Sequence, residues 1–204
     1  MKNILLVLLI ALGLSLCNLS ERFKKGSSTS GPTASGGISR SVETARATAE
    51  QTATLAGGQE VKWDRQGMSW TIPPNWTEGT NESKMFVMRS PGGGNAASLI
   101  VSISPMEEDF PADIEPWFAQ AEGRARNGEV DEVKFVEIDG LKGVQFREAN
   151  PEKPDGHRRL QWMAYRKYTG QLQLVSVMLA SEGKDFERHK NAMYGILYSM
   201  KIAH

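Results

Sequence analysis

The chain has 204 residues, with 24 Lys or Arg against 24 Asp or Glu, a formal net charge of zero, three His and one Cys. That length suits one domain, or one domain with a tail, and the single Cys excludes both an internal disulfide framework and a Cys-rich zinc site. The charge balance argues against a protein held mainly to nucleic-acid phosphates or acidic lipid, since both require clustered Lys and Arg.

Met1-Lys2-Asn3 carries one positive charge and precedes the apolar run Ile4 to Leu16. Thirteen helical residues rise roughly 20 Å, too little for a hydrocarbon core of about 30 Å. Such a start reads as a bacterial-type secretory signal over residues 1–17. The lone cysteine ends it, in Leu14-Ser15-Leu16-Cys17. This resembles the lipobox of bacterial lipoproteins, whose cysteine is lipid-modified and becomes the first mature residue. Leu14 and Ser15 fit the pattern; Leu16 departs from it, because a small residue is usual there. Lipid attachment at Cys17 is the expected outcome. Cleavage by an ordinary signal peptidase and an uncleaved anchor stay open beside it, and all three place the chain outside the cytoplasm.

Residues 18–58 read as a tether. Gly26 to Gly37 is nearly devoid of large apolar groups and cannot offset its ordering entropy by burial. Over 38–56, Ile38, Val42, Ala45, Ala49 and Ala53 recur near helical spacing, which predicts a marginal helix ended by Gly57-Gly58. As a flexible coil the tether would span about 35 Å, enough to hold a domain clear of a membrane.

A globular domain is expected over 59–204. Val61 and Trp63 alternate, as do Met68, Trp70 and Ile72; Lys84–Arg89 and Ala97–Ser104 follow as strands. Asp113 and Pro116 open a helix that presents Ile114, Trp117, Phe118 and Ala121 and ends near Asn127-Gly128. Asp139-Gly140 joins strands 133–138 and 141–147, and Thr169-Gly170 joins 160–168 and 171–180, as two hairpins. A last helix from about Lys184 to Lys201 turns Phe186, Met193, Ile196, Leu197 and Met200 inward. In the last strand Leu172, Leu174 and Met178 oppose Val175, Val177 and Leu179, so both faces need cover. The expected fold is α+β, an antiparallel sheet with helices on both faces: an α/β/α sandwich.

The run Gly67-Met68-Ser69-Trp70-Thr71-Ile72-Pro73-Pro74-Asn75-Trp76 resembles the opening of PsbP-like domains, which share their fold with Mog-type Ran-binding proteins. The likeness continues through Val136-Glu137-Ile138-Asp139-Gly140-Leu141-Lys142-Gly143-Val144 to Tyr198-Ser199-Met200-Lys201-Ile202. It implies a non-enzymatic accessory or assembly factor, of which bacterial members are often secreted lipoproteins. Its motifs are structural, with Pro73 and Trp76 setting a turn and plugging the core edge, and it supplies no functional residue.

The residues themselves offer little chemistry. G-x-S-x-G, H-E-x-x-H, G-x-G-x-x-G and G-K-[ST] are all missing. Ser181-Glu182-Gly183-Lys184 matches S-x-x-K without its companion motifs, and Ser181 reads as a helix cap. His157 and His189 lack metal-ligand spacing, and Glu107, Glu108, Asp109, Asp113 and Glu115 read as acids favouring a helix start. His157-Arg158-Arg159 and Arg166-Lys167 read as the solvent side of an edge. The expected protein is therefore an envelope-located, lipid-anchored, non-enzymatic module without cofactor or nucleic acid, acting through a protein partner. The alternative, a small-ligand receptor or enzyme, would need a pocket between sheet and helix lined by groups such as Glu148, Tyr165 and His189. The alternative to the anchored location is a periplasmic or secreted soluble protein.

Overall fold

The computed structural model describes residues 37–204. The elements begin with β1 (Ile38–Thr44), α1 (Ala49–Thr54), β2 (Gln59–Trp63), β3 (Met68–Ile72), β4 (Thr77–Asn81), β5 (Met85–Arg89) and β6 (Ser98–Pro105). After α2 (Glu115–Arg126) come β7 (Val130–Ile138), β8 (Leu141–Glu148), β9 (His157–Tyr168), β10 (Gln171–Glu182), α3 (Gly183–Tyr198) and β11 (Lys201–Ile202). The expected signal at 1–17, with Cys17, and the tether as far as residue 36 lie outside the described residues.

Local chemistry explains the hairpins. Asp139 and Gly140 adopt φ of 51° and 83°, and Thr169 and Gly170 adopt 48° and 83°. Two successive positive φ values match the twist of the flanking strands, and glycine takes the second at no steric cost. The α2 start is as expected in part: the Asp113 carboxylate accepts the Glu115 N–H at 2.9 Å, although Ile114 occupies the cap position itself. Ser181 is no cap. It is buried, Glu182 stands at the cap, and the α3 amides of Gly183 and Lys184 donate to the Gly156 and Pro154 carbonyls.

Eight strands form one sheet in the order β1-β7-β8-β9-β10-β6-β5-β4, antiparallel throughout except where β1 runs parallel to β7. A smaller sheet, β11-β3-β2, takes up the two opening strands. One face of the large sheet is closed by α3 and this small sheet. There Trp70 meets Phe86 edge-on at 5.1 Å, and Trp162, Val175, Val177 and Leu179 are fully buried. The opposite face carries α2, whose Phe118 stacks on Phe135 at 4.3 Å. Helices thus lie on both faces of an antiparallel-rich sheet, the expected sandwich.

The expected helix over 38–56 is a correction. Only Ala49–Thr54 is helical, started by a capping box in which Thr48 and Gln51 exchange hydrogen bonds. Ile38–Thr44 is instead the edge strand β1, within the same unit as the rest of the domain, so the folded region begins about twenty residues before 59. The physical reason is tertiary. An alanine stripe buries too little to form a helix, whereas Ile38, Val42 and Thr44 suit a strand, and ion pairs fasten it: Lys134 to Glu43 at 3.0 Å, and Arg40 to Glu115 and Glu122. The Arg40 guanidinium also lies 4.5 Å over the Phe118 ring.

Candidate functional site

The three groups expected to line a pocket do not converge. Glu148 accepts from Arg124 and Arg159, both at 3.1 Å, near the end of α2. Tyr165 lies on the α2 face further along β9, and His189 sits on α3, against the opposite face. His157 is exposed at the start of β9, and among the described residues no three His, Asp or Glu side chains gather as metal ligands.

The reading of Arg158 and Arg166 as solvent-facing is overturned. Strand β9 is central, between β8 and β10, and both arginines are buried at its two ends on the α3 face. Arg158 donates to Asp131 at 2.6 Å, to Glu187 at 2.9 Å and to the Glu148 carbonyl. Asp131 also takes Arg147 Nε at 2.7 Å, while Arg147 Nη1 donates to the Tyr194 hydroxyl. Tyr194 in turn donates to Glu132, which accepts from Gln145 as well; Gln145 accepts from Tyr198. Burial pushes the Tyr194 and Tyr198 hydroxyls above their ordinary pKa. Arg147 is held more firmly protonated than usual, since Tyr194, Asp131 and Glu132 outweigh its own burial. Every member has partners, so the network acts as a clamp between α3 and β7–β9 rather than as a reactive centre. At the other end of β9 Arg166 is held by neutral oxygens: the Gln66 carbonyl and side chain, the Ala203 carbonyl and Gln173. Sequence reasoning missed both clamps because alternation along one strand does not reveal whether a helix will lie over its ends.

The face that carries α2 is different. Cross-strand neighbours form the row Phe135–Val144–Met163–Ser176–Ser102–Met85 across five strands beyond β7, counted outward to β5. A parallel row runs Val133–Phe146–Gln161–Met178–Ile100–Val87. In the first, Phe135 is 2% exposed and Met163 8%, Ser176 and Ser102 are half-buried, and Met85 is 38% exposed. Helix α2 packs over β7 and β8, and the rest of its face lies open. The expectation that both sides of β10 be covered therefore holds fully for Val175, Val177 and Leu179, while Leu172, Leu174 and Met178 remain half-exposed.

At the boundary of cover the Trp117 indole N–H donates to the Tyr165 hydroxyl at 3.0 Å, and Phe110 rests against Tyr165 with ring centroids 5.7 Å apart. A groove of about 240 Å³ runs along α2 on one side of this pair, between Trp117 and Arg124 above and Phe146, Gln161, Met163 and Ser176 below. A second, of about 560 Å³, lies on the other side against Phe110, Lys167 and Leu172. Trp117 lines the first groove, while Trp76 is buried at the core, where the sequence pattern placed it. Hydroxyl, amide, thioether, aromatic and aliphatic groups make up the middle of this face, with Arg124, Glu108 and Lys167 along its grooves. An apolar patch with scattered hydrogen-bonding groups is the composition of a recognition surface.

These features define an α+β sandwich, an eight-stranded and largely antiparallel sheet with helices on both faces and one face half open. No protein-family model and no curated protein matches the chain. Among solved structures, it is similar to LpqN of Mycobacterium tuberculosis, a protein involved in cell envelope biogenesis, at 11% identity and TM-score 0.54, over 72% of this chain and 92% of that one. It is also similar to the cyanobacterial PsbP of Synechocystis, at 16% identity and TM-score 0.48 over 72% and 92% of the two chains. The Ran-binding protein Mog1p of Saccharomyces cerevisiae matches at 13% identity and TM-score 0.40 over 71% and 95%. The chain spans 45% of a longer Bacteroides thetaiotaomicron protein that it also matches, at TM-score 0.42. The structures thus include the PsbP and Mog types that the sequence pattern resembles, and at these identities the likeness is one of fold. No helix among the described residues is long and apolar enough to cross a membrane.

Proposed function

We propose that the protein is an exported, lipid-anchored accessory module that carries out no reaction itself and binds a protein partner through the open half of its α2-side face. The observation that carries the reading is the row from Met163 to Met85, where an apolar and hydroxyl-bearing surface continues past the helix that covers its beginning. Apolar side chains left half-exposed beside a covered surface, as Leu174, Met178 and Met85 are, support an interaction site. The address comes from the sequence: a short cationic start, an apolar run and Cys17. An envelope setting agrees with LpqN, a protein of the same fold involved in cell envelope biogenesis.

The address is tested by fractionating cells that express the wild type or Cys17→Ala while growing on radiolabelled palmitate. The wild type should be labelled and sediment with membranes, and the variant should be unlabelled and soluble. A wild type that is soluble and unlabelled would sink the anchor.

A further inference from the structure

We infer that the partner element seated on the open face is an amphipathic α-helix lying alongside α2, with acidic side chains over the end marked by Arg89 and Arg159; this rests on the adaptor reading above. The first argument is backbone satisfaction. A peptide laid across the middle of a sheet face meets side chains only, so the N–H and C=O groups it turns toward that face find few partners there, and a helix pairs them within itself. An extended peptide would need a free strand edge. Both edges of the large sheet are protected: β1 has a register break between Ser39 and Val42 and ion pairs through Arg40 and Glu43, and β4 has a break between Glu78 and Thr80.

The second argument is width. Strands lie about 4.8 Å apart, so β9 to β5 offer roughly 15 Å of surface, against about 10 Å for a helix with its side chains. Helices pack 8–10 Å apart, which is about two strand spacings. A helix beside α2, itself over β7 and β8, would be centred over β9 and β10, where the groove below Trp117 already runs. Its floor is low, with Ser176 paired to Ser102, and its far wall is apolar, with Ile100 and Val87. Small residues in the middle let a helix approach closely, and the flanking aliphatics give it apolar contact.

The third argument is charge. One cross-strand row at the end of the trough runs Arg89–Ser98–Ala180–Arg159. Arg124 joins this end, sharing Glu148 with Arg159 and reaching Glu129. Arg89 is exposed, and no ion pair engages it among the described residues. Three guanidiniums face two carboxylates there, so an acidic partner is favoured and a basic one opposed.

The test uses the full-length chain in its native cells, with a photo-crosslinking amino acid at Ser102, at Val87 or, as a control on the small sheet, at Glu60. Ser102 and Val87 should capture one common segment with apolar residues at i, i+3, i+4 and i+7 and with Asp or Glu at one end. Arg89→Glu should cut that capture about tenfold, a loss Arg89→Lys should not share. The captured segment, made as a peptide, should bind the full-length protein, and a proline at its centre should abolish binding. Capture of a second copy of this chain, of lipid, or of a segment that binds equally well with the proline would overturn the helix. Capture from Glu60 alone would remove the site and leave an adaptor standing, and no capture from any position would remove both.

Discussion

The Trp117 indole N–H and the Tyr165 hydroxyl meet at 3.0 Å at the line where α2 stops covering the sheet. One bond links a helix residue to a strand residue, with a groove on either side of it. Tyr165→Phe removes the acceptor while keeping the ring against Phe110. Both residues are half-buried, so the indole can turn to water, and the cost should stay within about 1 kcal/mol. Hydrogen exchange should quicken in the first turn of α2 and stay unchanged in β10. An equal rise in both would mean that the bond supports the whole sheet.

A chain begun at residue 59 would lose β1 and α1. It would leave β7 as an unpaired edge with Val133 and Phe135 beside it, and Lys134 without Glu43. Exposed apolar edges invite pairing between chains. The shortened chain should unfold at a lower temperature and aggregate from solution. Unaltered melting and a monomeric state would show β1 to be dispensable.

Gly143 lies under Trp162. A β-carbon there would stand 2.5 Å from the Trp162 indole nitrogen and from the Met163 carbonyl. That indole also donates to the Val136 carbonyl at 3.0 Å, so it cannot give way without losing a buried bond. Gly143→Ala should therefore destabilise by about 2–3 kcal/mol, read as a shift in urea midpoint with unchanged slope. A shift below about 0.5 kcal/mol would mean that the indole repacks freely.

Stability should form a plateau that falls at both extremes of pH. Burial alone would lower the Lys134 pKa, but Tyr198, Glu132 and Glu43 outweigh it and raise it above the ordinary 10.5. Burial raises Tyr194 and Tyr198 above 10.0. All three keep their protons longer when folded, so the stability they contribute is complete below about pH 10 and drains away as pH rises above it. Burial alone would raise Glu187, yet Lys190 and Arg158 hold it below 4.5; the Ile202 N–H and Lys201 likewise hold Asp139 below 3.8 against burial. Their contribution is present above about pH 4.5 and is lost as pH falls through the lowered values. Urea midpoints measured from pH 3 to 11 check both limbs, and a midpoint that climbed above pH 10 would contradict the alkaline one.

Much of the architecture is legible in the residues because it is local. Asp139-Gly140 and Thr169-Gly170 state two hairpins through glycine's tolerance of positive φ, and the 3.6-residue spacing of Phe186, Met193, Ile196 and Leu197 states the buried face of α3. Thr48 and Gln51 state the true start of α1 as a capping box, a signal that the sequence reading of the alanine stripe passed over. The lipid address proposed for Cys17 likewise rests on sequence alone, since it would depend on a linear motif and not on a fold.

Tertiary structure decided what no linear pattern carries. Whether Ile38–Thr44 would be helix or strand depended on the free edge of β7 and on Lys134 and Glu115 being there to pair with it. Arg158 and Arg166 alternate like solvent residues, and only the packing of α3, Gln66 and Ala203 over the ends of β9 buries them. The open face has the same cause. Leu174 and Met178 are as apolar as residues that are covered, and the length and placement of α2, set over β7 and β8, left them half in water.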